Sequence, residues 1–292
     1  MRTNVAAQAP DCRVCAAAPL RYVKLLHGEY WHDDVPLFCC QGCRCWFTFP
    51  QRLEGATDLS RVNSVEWHLR GLAHNERKIR ALLDLLDRRR WAQGTPRRFL
   101  DIGCALGHAV AEAARRGYEA VGIEPEASAA DYARRVMGVR VESTFFRRGV
   151  LGDDPFDVVV LDNVLEHVPD PGALVHDIAV SLRPGGVLFL GVPPVEWIRR
   201  LMSVSWWMPS SAPTRDWRGA LARSRVVGFL AWRDTFGFPN GHINYFSERG
   251  IRALAHGHGL RVEQQFHAQA WRPVVYPWLG LTTGYWILRK PD

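Results

Sequence analysis

Three features of the sequence predict an α/β fold, a largely parallel sheet with helices on both faces. Between Arg97 and Pro193, apolar runs of strand length alternate with runs of helical texture, the pattern of strands buried on both sides. The turn in "FLDIGCALGHAV" places glycines where the first of these strands passes into a helix. An acid, Glu124, then closes the second strand, at the carboxyl edge where such sheets bind ligands. In front of this domain, set at residues 95–292, a small β segment rich in cysteine is expected at 1–57 and a linking helical region at 58–94.

The elements follow in order. Short strand-like runs such as "LFCCQGCRCWFTF" mark the first segment, which holds six of the seven cysteines. The linking helix is predicted by Leu69, Leu72, Ile79, Leu82, Leu83 and Leu86 at helical spacing, with Gly94 beyond its end. "RRFLDIG" is a strand, and "GHAVAEAARRG" a helix that Gly117 stops with a left-handed cap. "YEAVGIEP" is the second strand, followed by a helix from Glu126 to about Met137 that Gly138 closes. "RVES" is a short third strand and "FDVVVLDN" a buried fourth. Asp170 and Pro171 form a cap and first-turn pair that start a helix ended by "RPGG". "VLFLGVP" is the fifth strand, and "LRVEQQF" and "GYWILRK" are expected at one edge of the sheet. A Trp/Pro-rich insertion at 194–240 carries Trp197, Trp206, Trp207, Trp217 and Trp232. It reads either as an aromatic lid gripping an apolar or ring-bearing substrate or as a homodimer interface.

Composition excludes some classes. With 47% hydrophobic and 23% charged residues the chain has the balance of a folded protein, not a disordered one. No basic-then-apolar leader opens it, and "PVVYPWLGLTTGYWIL" is shorter than the ~20 residues of a spanning helix and contains Pro277. A cytoplasmic protein without membrane insertion is therefore expected, one in which clustered thiols hold metal more readily than they form disulfides. The net charge of +7 rests on arginine, since Lys24, Lys78 and Lys290 are the only lysines. Such a surface suits nucleic acid, anionic lipid or a phosphorylated substrate and does not choose among them.

The glycine spacing at Gly103 and Gly107 is G-x-x-x-G, so the dinucleotide fingerprint G-x-G-x-x-G is not met. With Glu124 and "FDVVVLDNVLEHV" in order behind it, the chain resembles the class I S-adenosylmethionine-dependent methyltransferases. The resemblance runs from about Arg97 to Pro193. It implies a Rossmann-like sheet of seven strands and S-adenosylmethionine as cofactor. "LDIGCALG" looks like the family's first motif, with Ala105 in place of its middle glycine. By that resemblance Asp101, Gly103 and Gly107 surround the methionine part of the cofactor and Glu124 holds its ribose, with Cys104 and Pro125 beside them. Asp162 and Asn163 match the position facing the reactive sulfonium, and Ser143 or Thr144 stands where the family often has an acid for the adenine amine.

"NVLEHVPDP" offers Glu166 and His167 at the carboxyl edge, and "FPNGHINYFS" offers His242; both histidines are candidate general bases or substrate contacts. "EHV" resembles small-molecule enzymes such as the ubiquinone O-methyltransferases. Some of those hold a divalent metal with an acid three residues before the Glu-His pair; Asn163 occupies that place here, which argues against a catalytic Mg²⁺. The expected activity is methyl transfer to a small molecule, on O, N or C of a secondary metabolite, sugar or quinone-like acceptor. The absence of an [DN]-P-P-[YF] motif argues against base methylation. A ribosomal RNA methyltransferase with a zinc ribbon stays as the alternative, and a non-catalytic cofactor-binding or partner-binding module as a second.

Cys12-x-x-Cys15 and Cys40-x-x-Cys43 form the paired knuckles of a zinc ribbon, four soft ligands for one structural Zn²⁺. Alternation in "CRCWFTF" puts Cys45 with Phe47 and Phe49 on a packed strand face. Cys39 is a spare, or a ligand if the knuckle shifts by one.

Overall fold

The computed structural model describes residues 11–16, 19–28, 31–49, 65–89, 91, 97–193, 195, 242–267 and 284–292. Gly94 and, apart from Val195, the Trp/Pro-rich insertion lie outside them. In chain order the strands are β1 (Leu20–Gly28), β2 (Trp31–Cys40), β3 (Trp46–Thr48), β4 (Arg98–Ile102), β5 (Glu119–Ile123), β6 (Val141–Glu142), β7 (Phe156–Asp162), β8 (Leu182–Val192), β9 (Asn244–Tyr245), β10 (Arg261–His267) and β11 (Gly284–Arg289). The helices are α1 (Val65–Arg89), α2 (His108–Arg115), α3 (Ala127–Arg135), α4 (Pro171–Ser181) and α5 (Glu248–Gly257), with a single 3₁₀ turn at Leu165–His167.

The main sheet has the expected seven strands, in the order β10-β11-β8-β7-β4-β5-β6. Strands β8, β7, β4, β5 and β6 run parallel, and β11 and β10 close one edge antiparallel. Chain order reverses between β4 and β7, so their carboxyl ends open a crevice at a topological switch point.

Residue alternation explains both layers. Phe99, Val158, Val160, Val187, Phe189 and Ile287 face one side and pack on Ile79, Leu82, Leu83 and Leu86 of α1 and Ala113 of α2. Leu100, Ile102, Val159, Leu161, Leu188 and Leu190 face the other and pack on Leu174, Val175 and Ile178 of α4 and Ile251 and Leu254 of α5. Each of these fully buried aliphatic side chains contributes about 1.5–3 kcal/mol. Helix starts follow the sequence signals: the side chains of Asp170, Glu126 and Ser247 accept from the N–H groups of Ala173, Ala129 and Gly250. Gly117 and Gly138 sit at φ 81° and 67°, as helix-stopping residues require.

The smaller sheet, β1-β2-β3-β9, takes its last strand from the far end of the chain. Trp46 pairs with Tyr245 and Phe47 with Asn244, both antiparallel. The N-terminal β segment thus shares a sheet with residues that follow His242. Its buried Cys12, Cys40, Cys43, Cys45 and Phe47 belong to the same apolar cluster as α4 and α5. No helix among the described residues is long and apolar enough to cross a membrane.

Candidate active site

The turn after β4 is shaped by backbone geometry that its sequence permits. Gly103 has φ 74° and its N–H donates to the Ile123 carbonyl at 2.8 Å, tying the turn to the end of β5. A Cβ at Gly103 would meet the Val164 side chain at 2.5 Å, so the position excludes larger residues on two counts. Gly107 caps α2 at φ 81°, and a Cβ there would meet Val139 and Ala133 at 2.8 and 2.9 Å. Ala105, where the resemblance expects glycine, takes the same left-handed conformation at φ 47°. The N–H of Ala105 and the N–H of Glu126 each donate to the Glu124 carboxylate at 2.9 Å, which fixes this buried acid at the rim of the crevice. Burial raises the Glu124 pKa against the pull of those two N–H groups. Pro125 is exposed beside it, and Ser143 and Thr144 lie directly past β6.

The Cys104 thiol is buried in a small cluster with Val110, Ala130, Ala133 and Val141 and lies over Gly122.

The floor of the crevice is acidic. Asp101 in β4 is buried, and burial followed by the charge of Asp162 pushes its carboxyl up to about 7, against the opposing pull of Lys78. Asp162 ends β7, and the side chain of Asn163, at φ 55°, donates to it at 3.2 Å. Lys78 reaches in from α1, forms an ion pair with Asp162 and lies 5.6 Å from the centre of the Tyr285 ring. Sequence reasoning passed over Lys78. The available signal was its place on the line 78-82-86, a cation on the stripe that α1 buries.

Past β7 the 3₁₀ turn carries the buried Glu166 and the half-buried His167, and the chain returns to it at His242. The rings of His167 and His242 meet edge to face with centroids 4.7 Å apart, and His242 Nε2 lies 3.9 Å from Glu166 Oε1. Two pairs of backbone groups hold this return in place. The Ile243 N–H donates to the Glu166 carbonyl at 2.9 Å, and the Thr48 N–H of β3 donates to the Ile243 carbonyl at 3.0 Å. Asn244 adds side-chain donation to the carbonyls of Leu165 and Val168 at 3.2 and 2.7 Å. Burial, then the charge of Asp162, pushes Glu166 up to about 8, although a backbone donor pulls the other way. Burial and the neighbouring His167 hold His242 well below the ordinary histidine range.

The four knuckle cysteines converge although 24 residues lie between Cys15 and Cys40. The sulfurs of Cys12, Cys15, Cys40 and Cys43 all lie within 4.8 Å of one another, with Cys12–Cys43 at 3.5 Å and Cys15–Cys40 at 3.6 Å. Tetrahedral zinc with ~2.3 Å bonds would space its sulfurs by about 3.8 Å, so the set fits that ion. The Cys43 N–H points at Cys40 Sγ at 3.4 Å, the local bond of a metal knuckle. Cys39 stands outside the set, its thiol directed at the Cys40 carbonyl, and Cys45 is buried against Ser247. Ser247, the cap of α5, donates to the Cys43 carbonyl at 2.5 Å, and Arg13 of the first knuckle donates to the Pro169 carbonyl at 2.5 Å. The knuckles are therefore bonded to both chain segments that carry His167 and His242.

A family model described as a methyltransferase domain matches residues 72–265. The ubiquinone biosynthesis O-methyltransferase of Alkalilimnicola ehrlichii is 40% identical over 96 residues, 31% of this chain and 39% of that protein. Its counterpart in Hahella chejuensis is 35% identical over 165 residues, 52% of this chain and 67% of the relative. The matched part of the chain spans about two fifths of the length of the first of these relatives. In fold the chain is similar to the plantazolicin methyltransferase BpumL, solved with a desmethyl analogue and SAH: TM-score 0.54, 13% identity, 81% of this chain and 93% of that one. It is also similar to the N-methyltransferase NodS of Bradyrhizobium japonicum WM9 in complex with S-adenosyl-L-homocysteine, at TM-score 0.51 and 16% identity, over 80% and 97% of the two chains.

Proposed function

We propose, from the premise that this chain belongs to the methyltransferase domain family, that it transfers the methyl group of S-adenosylmethionine to a small-molecule acceptor. One observation carries the proposal. The Gly103–Gly107 turn, Glu124 and the Asp101/Asp162 pair converge on the carboxyl edge of the sheet, at its switch point. Bound there, the cofactor supplies a methyl group already activated by a positive sulfur. The rest falls to residues of the chain. Glycine at 103 and 107 lets the backbone approach the methionine part, Asp101 and Asp162 give a cationic ligand a negative floor, and Glu124 accepts from ribose hydroxyls. Lys78 keeps that floor from carrying two uncompensated charges when the crevice is empty of cation.

The acceptor lies between this cradle and the His167/His242 wall. A hydroxyl or acidic carbon placed there loses its proton toward the histidine side, where a neutral imidazole can take it. The relatives' O-methyl transfer in ubiquinone biosynthesis supports a quinone-like ring, sugar or other secondary metabolite as acceptor. Cys12, Cys15, Cys40 and Cys43 hold one structural Zn²⁺, and its closed four-thiolate shell leaves no position for chemistry. The test is a label-transfer assay: methyl-labelled cofactor, the zinc-loaded protein and fractionated small-molecule extract. Label appearing in a small organic acceptor is the expected result. Label found only in RNA, or in no fraction, overturns the assignment.

A further inference from the structure

We infer that the four-cysteine knuckle anchors the His167/His242 pair, so that its metal governs the acceptor step and not the cofactor turn, with Asn244 as the positioning residue between them. The inference deepens the methyl-transfer proposal and rests on it for the role of the two histidines. Asn244 is buried, and its side chain donates to the carbonyls of Leu165, which opens the 3₁₀ turn, and Val168, just past its end. The N–H of its neighbour Ile243 donates to the carbonyl of Glu166 between them. A 3₁₀ turn of three residues has poor hydrogen-bond geometry of its own, so these donors from a distant segment set its shape. His167 and His242 are held edge to face by the backbone that Asn244 and Ile243 join.

The Asn244 segment is held in turn by the knuckle. β9 is two residues long, and its partner β3 begins directly after Cys45. The Cys40 N–H donates to the Cys45 carbonyl at 2.9 Å, closing the loop that carries Cys43. The Ser247 hydroxyl donates to the Cys43 carbonyl, and its N–H points at Cys45 Sγ at 3.5 Å. A Cβ at Gly250 would collide with that same sulfur, so the start of α5 packs directly on the second knuckle. The first knuckle reaches the turn from its other end, where Arg13 donates to the carbonyl of Pro169, two residues past His167. The two knuckles meet at their sulfurs. Thiols alone are weak donors and acceptors, whereas four bonds to zinc would lock the halves together. The bonds that fix Gly103 and Glu124 run instead to Ile123, Ala105, Glu126 and Glu142, within β4, β5, β6 and the turns behind them.

The experiment compares the full chain loaded with zinc, the same chain stripped by chelator, and the zinc-loaded variants Asn244→Ala, Arg13→Ala and Arg13→Lys. Hydrogen exchange reads peptides over 163–169, 242–247 and 101–107, ¹⁵N NMR reads the His242 ring, and calorimetry reads S-adenosylhomocysteine affinity. Zinc removal and Asn244→Ala should each speed exchange about tenfold or more in 163–169 and 242–247. Exchange in 101–107 and ligand affinity should change less than about threefold. Burial and the adjacent His167 hold the His242 ring well below the ordinary histidine range, with Glu166 on its other side. In both cases the ring should titrate closer to about 6.5, a signature that a general loss of stability does not give. Arg13→Ala removes one hydrogen bond and should speed exchange in 163–169 about fivefold; Arg13→Lys, which keeps a donor for Pro169, should restore protection. Exchange and titration indifferent to zinc removal overturn the inference. So does a zinc-free chain that loses near-UV circular dichroism and ligand binding together, since the metal then supports the whole fold. If Asn244→Ala does not fold, Arg13→Ala decides, and protection equal to wild type refutes the coupling. No homocysteine-ligand binding by zinc-loaded wild type, with exchange still following zinc, refutes the methyl-transfer proposal alone; ligand binding with exchange indifferent to zinc refutes the coupling alone.

Discussion

Replacing Lys78 by methionine isolates the electrostatics of the crevice. Methionine keeps the length and packing of the side chain on α1 but removes the charge that pairs with Asp162 and draws down Asp101. Breaking a buried ion pair from one side costs about 3–5 kcal/mol. The Asp162 side chain keeps 18% of its exposure, so water recovers part of its solvation and the lower end, about 3 kcal/mol, applies. For a domain of this size that corresponds to roughly 6–12 °C in Tm. Thermal unfolding followed by circular dichroism at pH 7 measures it. The partner change Asp162→Asn is then added, and the double variant should recover most of the loss, because a neutral pair leaves no stranded charge. A Tm drop under about 2 °C for Lys78→Met, or a double variant as unstable as the sum of the single ones, would refute the reasoning.

Three further outcomes follow from the same geometry. Asp101 titrates near 7 in the fold against about 3.9 unfolded, so its ionisation costs stability above neutrality and the cost vanishes as pH falls toward 4. A cationic cofactor needs the ionised form. Its affinity should therefore fall by up to roughly tenfold between pH 8 and pH 6, and Asp101→Asn should flatten that profile in calorimetry. Cys40→Ser should lose its zinc by elemental analysis and lower the Tm of the whole chain, because the knuckles share an apolar cluster with α4 and α5; full zinc retention would contradict the assignment. Ser247→Ala removes both the cap of α5 and the donor to the Cys43 carbonyl, and chemical denaturation should show a loss of about 1–2 kcal/mol.

What could be read in the sequence was what local chemistry dictates. The strands β4, β5, β7 and β8 announce themselves as apolar runs, Asp170-Pro171 as a helix start, and Gly103 and Gly107 as a turn, because each depends on neighbours a few residues away. The Cys12/Cys15 and Cys40/Cys43 pairs were legible for the same reason, each knuckle being a four-residue unit. Pairings across the chain were not. Nothing in "CWFTF" or "HINYF" specifies that Phe47 lies beside Asn244, yet that register brings His242 to Glu166 and joins the cysteine segment to the 3₁₀ turn. Trp46 is buried along with Phe47, where simple alternation predicts one solvent face, so both faces of β3 are covered. Lys78 was hidden differently. A lysine on a helix normally reads as solvated, and only the position of Asp162 at the end of β7 turns it into part of the site.

The central claim is that the turn after β4 binds S-adenosylmethionine, and isothermal calorimetry of the zinc-loaded protein tests it most directly. Wild-type protein should bind the cofactor at micromolar concentration with one site per chain. Gly103→Arg should abolish binding, since its Cβ alone would meet Val164 at 2.5 Å from a left-handed backbone. No heat of binding from the folded wild-type protein, or undiminished binding by Gly103→Arg, would contradict the account.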